Sequence, residues 1–551
     1  MARTSVQRIS LAKLINNCRD GLFAIPEIQR EFVWDRKRVT NLMDSIWRQI
    51  PIGTLLLWET DSSRRHLLRH VQNVLPSYSL NNKRIWFIID GQQRLSALYR
   101  AASGGIVTNY RRQEINFDNL CFVFDKRFEP LRFGFVKYPQ KVMHIPVKDI
   151  LSHEWRRYVR GVGSQKKFTD IKTFRERFKK YSIPVVNVGT SDIDEVRETF
   201  LRINSGGLRI SKADRAFSRA ARLNLRGLIR DLLKQLPHKF DELDDSVIQA
   251  CITVFSGQRD ISGVTIESVL ARLEREEIEN GRVSKSFIRT WTKMHKAIVI
   301  AVDYFLNELD VINRSYLPSD NMMPVLSYFF YENNLAQPSP KQRKEIRKWF
   351  WATGVAGRYS GRGYYQNIRA DLEFMQYLAR RKKGSFTLSE PVLKYDVKRT
   401  DYSYMGSITI AYLLMLCLKR PRYLENGAVI PLKETASISN RKDLHHVFPK
   451  AMLKRNRINT RQANSLCNIC YIVAEENQSI GSRRPHDYMA ELKQPKYFAS
   501  VMKSHLIPYR SESGLWDKNI RRGYKKFIEQ RLDWVCMEFE RRAGMKLFRQ
   551  E

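Results

Sequence analysis

Residues 84–101, RIWFIIDGQQRLSALYRA, admit few folds. An apolar, strand-like run ends at Asp90 in a charged, glycine-containing knot, Asp90-Gly91-Gln92-Gln93-Arg94, and leads into a helix near Leu95. The neighbouring segments repeat that alternation. VTNLMDSIWRQI places Val39, Leu42, Met43, Ile46 and Ile50 on one helical face, Pro51-Ile52-Gly53 stops the helix, and TLLLW follows as a strand, with IPVVNV (183–188) as another. The pattern predicts an α/β or α+β domain over residues 1–215.

Beyond it the periodicity turns helical. Segments such as SVIQACITVF and TWTKMHKAIVIAVDYFLNEL predict an α-helical middle over 216–395, and residues 396–551 hold an apolar helix, a polar cluster around His445-His446 and a basic, aromatic tail. The whole is a multidomain α+β chain. Its 96 Lys and Arg against 57 Asp and Glu leave a formal charge of +39, which points to a polyanionic partner. Arg358-Tyr-Ser-Gly-Arg-Gly-Tyr-Tyr365 mixes cations and aromatics in a way that suits nucleic acid and equally suits a core loop with packed tyrosines. Trp349, Trp351 and Tyr359 pose the same choice, and tryptophans in a helical pattern favour the core.

The longest uncharged apolar run, SITIAYLLMLCL (407–418), has 12 residues, short of the roughly 20 that a membrane span needs, so it predicts a buried helix and no membrane partner. Seven scattered cysteines and a start without an apolar signal core fit a reducing cytoplasm. Cys467-Asn-Ile-Cys470 has no second pair of zinc ligands nearby and reads as two cysteines in an apolar setting.

At the knot, a helix N-terminus and free backbone N–H groups attract phosphate. Gly91 allows close approach, Arg94 can fork onto phosphate oxygens, Gln92 and Gln93 add donors and acceptors, and Asp90 can hold a metal or orient water. Taken alone, these residues read more plainly as a turn in which Asp90 caps the helix and pairs with Arg94. Together with IPEIQREFVWDRKRVTNLMDSIWRQIPIGTLLLWE (25–59) and VRETFLRINSGGLRISKAD (196–214), however, the segment resembles the three signature blocks of the N-terminal domain of GmrSD-type restriction systems. The resemblance implies a ParB-like fold that binds and hydrolyses a nucleoside triphosphate (ATP, GTP or UTP). Its site would be built from Gln29 and Arg30, from Asp90 to Arg94, and from Arg202, Asn204, Gly206 and Gly207. Arg30, Arg94 and Arg202 would neutralise the triphosphate, and the glycine pair would let backbone amides approach it.

Residues 443–489 follow a strand, loop, strand, helix path: DLHHVF, then NICYIVA, then EENQSIG. A ββα-metal (HNH) nuclease needs a base for water and a divalent ion, Mg or Mn, at the departing oxygen. His446 is the candidate base and His445 and Asn477 are candidate metal ligands, with Asp443 the substitute if the strand faces the other way. Asn468 lies where HNH enzymes brace the loop, with Asn464 its rival. With Pro449, Asn477-Gln-Ser-Ile-Gly481 and Pro485-His-Asp-Tyr488, the stretch resembles the HNH domain that accompanies the GmrSD-type N-terminal domain. His445, where many such sites carry Asp, favours a softer ion than Mg. The resemblances imply a nucleotide-dependent endonuclease that cuts modified phage or foreign DNA. A nucleotide-switched DNA-binding protein that does not cut and an HNH nuclease acting on RNA are the rivals.

Overall fold

The computed structural model describes the chain except residues 1, 2, 27, 28, 30, 69–73, 80, 110–112, 125–131, 138–142, 161–163, 191, 206–211, 280, 281, 362, 382, 432–443, 494, 495, 550 and 551. It forms two compact units, residues 1–228 with 270–283, and residues 229–269 with 284–551, a mixed α+β architecture. The sections 216–395 and 396–551, read separately from the sequence, together supply the whole of the second unit, while residues 216–228 and 270–283 fall in the first.

The first unit is built on a five-stranded sheet. Strand β1 (Arg3–Ser10) pairs antiparallel with Ser182–Gly189, which runs parallel to β3 (Leu55–Asp61). Strand β4 (Arg84–Asp90) pairs antiparallel with β3, and β2 (Phe23–Ala24) closes the edge parallel to β4. Side chains of β4 alternate between two cores, as a pleated strand requires. Ile85, Phe87 and Ile89 pack with Leu56, Trp58, Val196 and Phe200. Ile88 faces the larger core, with Leu55, Leu57 and residues of helices α1 (Leu11–Arg19), α2 (Arg36–Trp47) and α3 (Gln92–Ser103). The Asp35 carboxylate starts α2 by accepting the Arg38 N–H at 2.8 Å, which buries Val39, Leu42, Met43 and Ile46 as the periodicity predicts. Ile50 departs from that face and is 47% exposed, because the helix ends at Trp47 and Gln49 turns the chain at φ 62°.

The second unit is mainly helical. Helix Pro340–Ala356 begins with a capping box between Ser339 and Gln342 and ends at Gly357 in the left-handed conformation, φ 57°. Trp349, Trp351 and Tyr359 are buried, and the Tyr359 hydroxyl and the Trp349 indole N–H both donate to Asp371, at 2.7 and 3.1 Å. Arg358 closes the cluster with an ion pair to Asp371 at 2.7 Å, so this part of the cation–aromatic stretch is core. Helix Ser407–Leu418 is buried along most of its length, and its Ser407 hydroxyl donates to the Gly354 carbonyl at 2.9 Å. No described helix is long and apolar enough to cross a membrane.

Candidate functional site

In the first unit the site begins where β4 ends. Gly91, at φ 87°, is the N-cap of α3 and supplies no side-chain cap, and a Cβ there would stand 2.3 Å from Leu55 Cδ2. The helix starts at Gln92, earlier than the sequence suggests. Asp90 does not cap it but pairs with Arg94, Oδ2 to Nη2, at 2.9 Å. Arg94 Nη1 donates to the Ile52 carbonyl at 2.6 Å, and a Cβ on Gly53 would lie 2.3 Å from that nitrogen. Pro51-Ile52-Gly53, expected from the sequence to stop the helix, is instead a seat for Arg94, since the helix already ends at Trp47.

The glutamines are fasteners. Gln93 Oε1 accepts the Val33 N–H at 2.8 Å, while its Nε2 donates to the Glu31 carbonyl at 2.8 Å and to Gln92 Oε1 at 2.7 Å. Buried Gln29 donates to the carbonyl of Ile88 at 3.1 Å and to that of Ile89. These bonds tie Gln29, Glu31, Val33 and the 51–53 turn to the end of β4 and the start of α3. One donor is left over: Gln92 Nε2, in a residue only 2% exposed, has no hydrogen-bond partner among the described residues. An unsatisfied buried amide on the first turn of an uncapped helix is a position that an anionic oxygen would complement. Arg202 and Asn204 lie on helix Ile193–Ser205, which packs Val196 and Phe200 on the opposite face of β4, and exposed Arg202 pairs with Glu198 at 2.8 Å. Arg30, Gly206 and Gly207 lie outside the described residues.

The second site lies in the second unit. Strand Leu444–His446 pairs antiparallel with Ile469–Tyr471, setting His445 opposite Cys470 and His446 opposite Ile469, and helix Ala474–Ile480 follows with half-buried Asn477. His446 Nε2 meets Asn464 Oδ1 at 3.1 Å, and Asn464 Nδ2 donates to Asp401 Oδ2 at 3.3 Å. Asp401 is fixed in turn by the Ser403 N–H and hydroxyl, at 2.9 and 2.7 Å, and the Tyr402 ring meets the imidazole edge-on at 5.5 Å. An amide oxygen only accepts, so Nε2 carries the ring proton and Nδ1 holds the lone pair. Burial, followed by nearby Lys450 and His445, lowers the His446 pKa against the raising effect of its Asn464 bond, which keeps the ring neutral near pH 7.

Asn468 is the brace. Fully buried, it accepts the Phe448 N–H at 2.8 Å and donates to the carbonyls of Phe448 at 3.0 Å and Ala463 at 2.9 Å, whereas Asn464 serves His446. Three further groups hold the hairpin by its backbone. The Tyr412 hydroxyl donates to the Ile469 carbonyl at 2.7 Å, and the Tyr488 hydroxyl to that of Val447 at 2.6 Å. Arg531, fully buried, donates to the carbonyls of Cys467, Ile469, His505 and Leu506 at 2.8–3.1 Å. Sequence reasoning missed Arg531 and Asp401. The only available sign of the former was a lone arginine between Phe527-Ile528 and Leu532 on a helix.

Asp443 lies outside the described residues, and among the described residues no three His, Cys, Asp or Glu converge as a metal cage. His445, on the first hairpin strand, and Asn477, on the helix after the second, offer an imidazole nitrogen and an amide oxygen, donor types that a divalent ion accepts. Cys467 and Cys470 are buried thiols whose pKa values burial pushes up to about 12.

Residues 11–220 match the model of a family described as the GmrSD restriction endonuclease, N-terminal domain. Over those residues, the knot included, the chain resembles a GmrSD-type N-terminal domain. It is also similar to the uncharacterized protein MJ0686 of Methanocaldococcus jannaschii, at 22% identity over an alignment covering 95% of this chain and 96% of that protein.

Proposed function

We propose that the chain is a nucleotide-dependent endonuclease acting on modified foreign DNA in defence of its cell. In this reading the first unit, as a ParB-like domain, binds and hydrolyses a nucleoside triphosphate at the end of β4, and the second unit, as an HNH module, hydrolyses the phosphodiester at the histidine hairpin. The observation that carries the reading is the Asn468-braced hairpin, which presents a neutral His446 with Nε2 occupied and Nδ1 basic.

His446 Nδ1 takes the proton of the attacking water as its oxygen bonds to phosphorus and the P–O bond to the departing oxygen breaks. Asp401 and Asn464 hold the imidazole in the required tautomer. His445 and Asn477, with Asp443 as the substitute ligand, would hold Mg or Mn, which supplies positive charge at the departing oxygen when bound. At the other site, Gln92 Nε2 and the first-turn N–H groups of α3 would meet phosphate oxygens. Asp90 would orient the hydrolytic water, and Arg30, Arg94 and Arg202 would balance charge.

The test incubates the protein with modified and unmodified phage DNA, with and without nucleoside triphosphate and Mg or Mn. His446→Ala is expected to lose cleavage by about a hundredfold or more while retaining its fold and DNA binding. Wild-type cutting by this variant removes His446 from the chemistry.

A further inference from the structure

From Leu444 to Ala474 the sequence contains no acidic residue, although the chain carries 57 in 551 positions, and the same segment holds Lys450, Lys454, Arg455, Arg457 and Arg461. Those five cations lie in the connection between the two hairpin strands, and all five are exposed. Their placement is fixed from below. Met452 and Leu453 are buried under helix Lys450–Arg455, while Phe448 packs on the rings of Tyr524 and Phe527 in the long helix Ile520–Ala543. Two hydrogen bonds fasten that helix to the connection: Arg521 Nε donates to the Asn456 carbonyl at 2.8 Å, and the Tyr524 hydroxyl to that of Gln462 at 2.6 Å. The exposed side of the helix then adds Arg521, Lys525 and Lys526 beside the connection.

No carboxylate is within ion-pairing distance of Lys454, Arg457, Arg461 or Lys525 among the described residues, although pairs such as Arg483–Glu491 and Arg522–Asp517 neutralise other cations nearby. Lys450, four residues after His446, begins helix Lys450–Arg455 and the face at its hairpin end. One cationic surface therefore runs from the imidazole across the connection to the long helix, held in shape by buried side chains.

We propose that this surface seats the sugar–phosphate backbone of duplex DNA alongside the bond presented to His446. The proposal rests on the nuclease reading for its choice of DNA, but the binding it claims requires no chemistry. Fixed cations without carboxylate partners release counterions from DNA when they meet phosphates, so binding should weaken with salt at about 0.9 log units per log unit of salt for each contact.

The experiment measures binding of the full chain to a fluorescent duplex of unmodified DNA by anisotropy across a salt series, with chelator present so that nothing is cut. Lys454→Gln/Arg457→Gln/Arg461→Gln is compared with Lys296→Gln/Lys341→Gln/Lys344→Gln, which removes the same charge from exposed positions on other helices of the unit. All the residues changed are exposed, and thermal unfolding verifies the fold. The first variant is expected to bind tenfold or more weakly, with a log–log salt slope shallower by about 2 to 3. The second should stay within about twofold of wild type. Equal losses in the two variants, or no loss in the first, overturn the proposal, as does tighter wild-type binding to the same sequence as duplex RNA. A chain that binds as expected but never cuts defeats the nuclease reading and leaves the seat standing.

Discussion

His505 shows how much one ring can depend on its surroundings. It is fully buried, its Nε2 donates to the Arg422 carbonyl at 2.7 Å, and burial lowers its pKa from 6.5 to about 4. The folded chain therefore refuses a proton that the unfolded chain accepts. The associated stability is complete above about pH 6.5 and is lost as pH falls towards about 4, at most about 3 kcal/mol. Urea unfolding at neutral and mildly acidic pH should show a smaller acid-induced loss in His505→Gln than in wild type, and equal losses would mean that the ring is not the proton acceptor. At the same scale, Gln92 and Gln93 are adjacent and chemically alike but differ in role. Both ends of Gln93 are bonded, whereas Gln92 Nε2 has no partner among the described residues. Sequence could nominate both and could not separate them, because the distinction depends on residues 31–33 lying against the strand end.

Elements that declare themselves locally were legible. The strand 84–90 and the helix 407–418 have the predicted bounds, and the order of strands and helix around His445 and Asn477 follows the sequence path. Strand β1 was not legible. RTSVQRIS has only two strongly apolar residues, and its partner, Ser182–Gly189, lies far along the chain, so long-range pairing rather than local pattern makes it a strand. Arg531 escaped for a related reason: its partners are backbone carbonyls, which no residue type encodes. Removing its guanidinium leaves four buried carbonyls short of a donor, so Arg531→Met should destabilise the second unit by about 3 kcal/mol or more. Chemical denaturation measures this, and a cost below about 1 kcal/mol would show that water or rearrangement replaces the clamp.

For the molecule as a whole, the question is whether nucleotide turnover governs cutting. If the two proposed sites are coupled, bound nucleotide must favour one state of the chain over another, and the hairpin must act differently in each. Asp90→Ala and Arg94→Ala are expected to abolish turnover and change DNA cleavage, while His446→Ala keeps turnover and loses cleavage. Because Arg94 also supports Ile52 and Asp90, thermal unfolding is measured alongside. A stable Arg94→Ala that loses turnover yet cuts at the wild-type rate would make the activities independent. The seven cysteines bear on how such states can be followed. All are buried and free, two in the first unit (Cys18 and Cys121) and five in the second, and burial raises every thiol pKa. An alkylating reagent should thus find almost no thiolate in the native chain, and each cysteine becomes a clock that starts only when its own neighbourhood opens. Mass-resolved labelling with and without nucleotide would time the opening of each unit without introducing a single foreign probe.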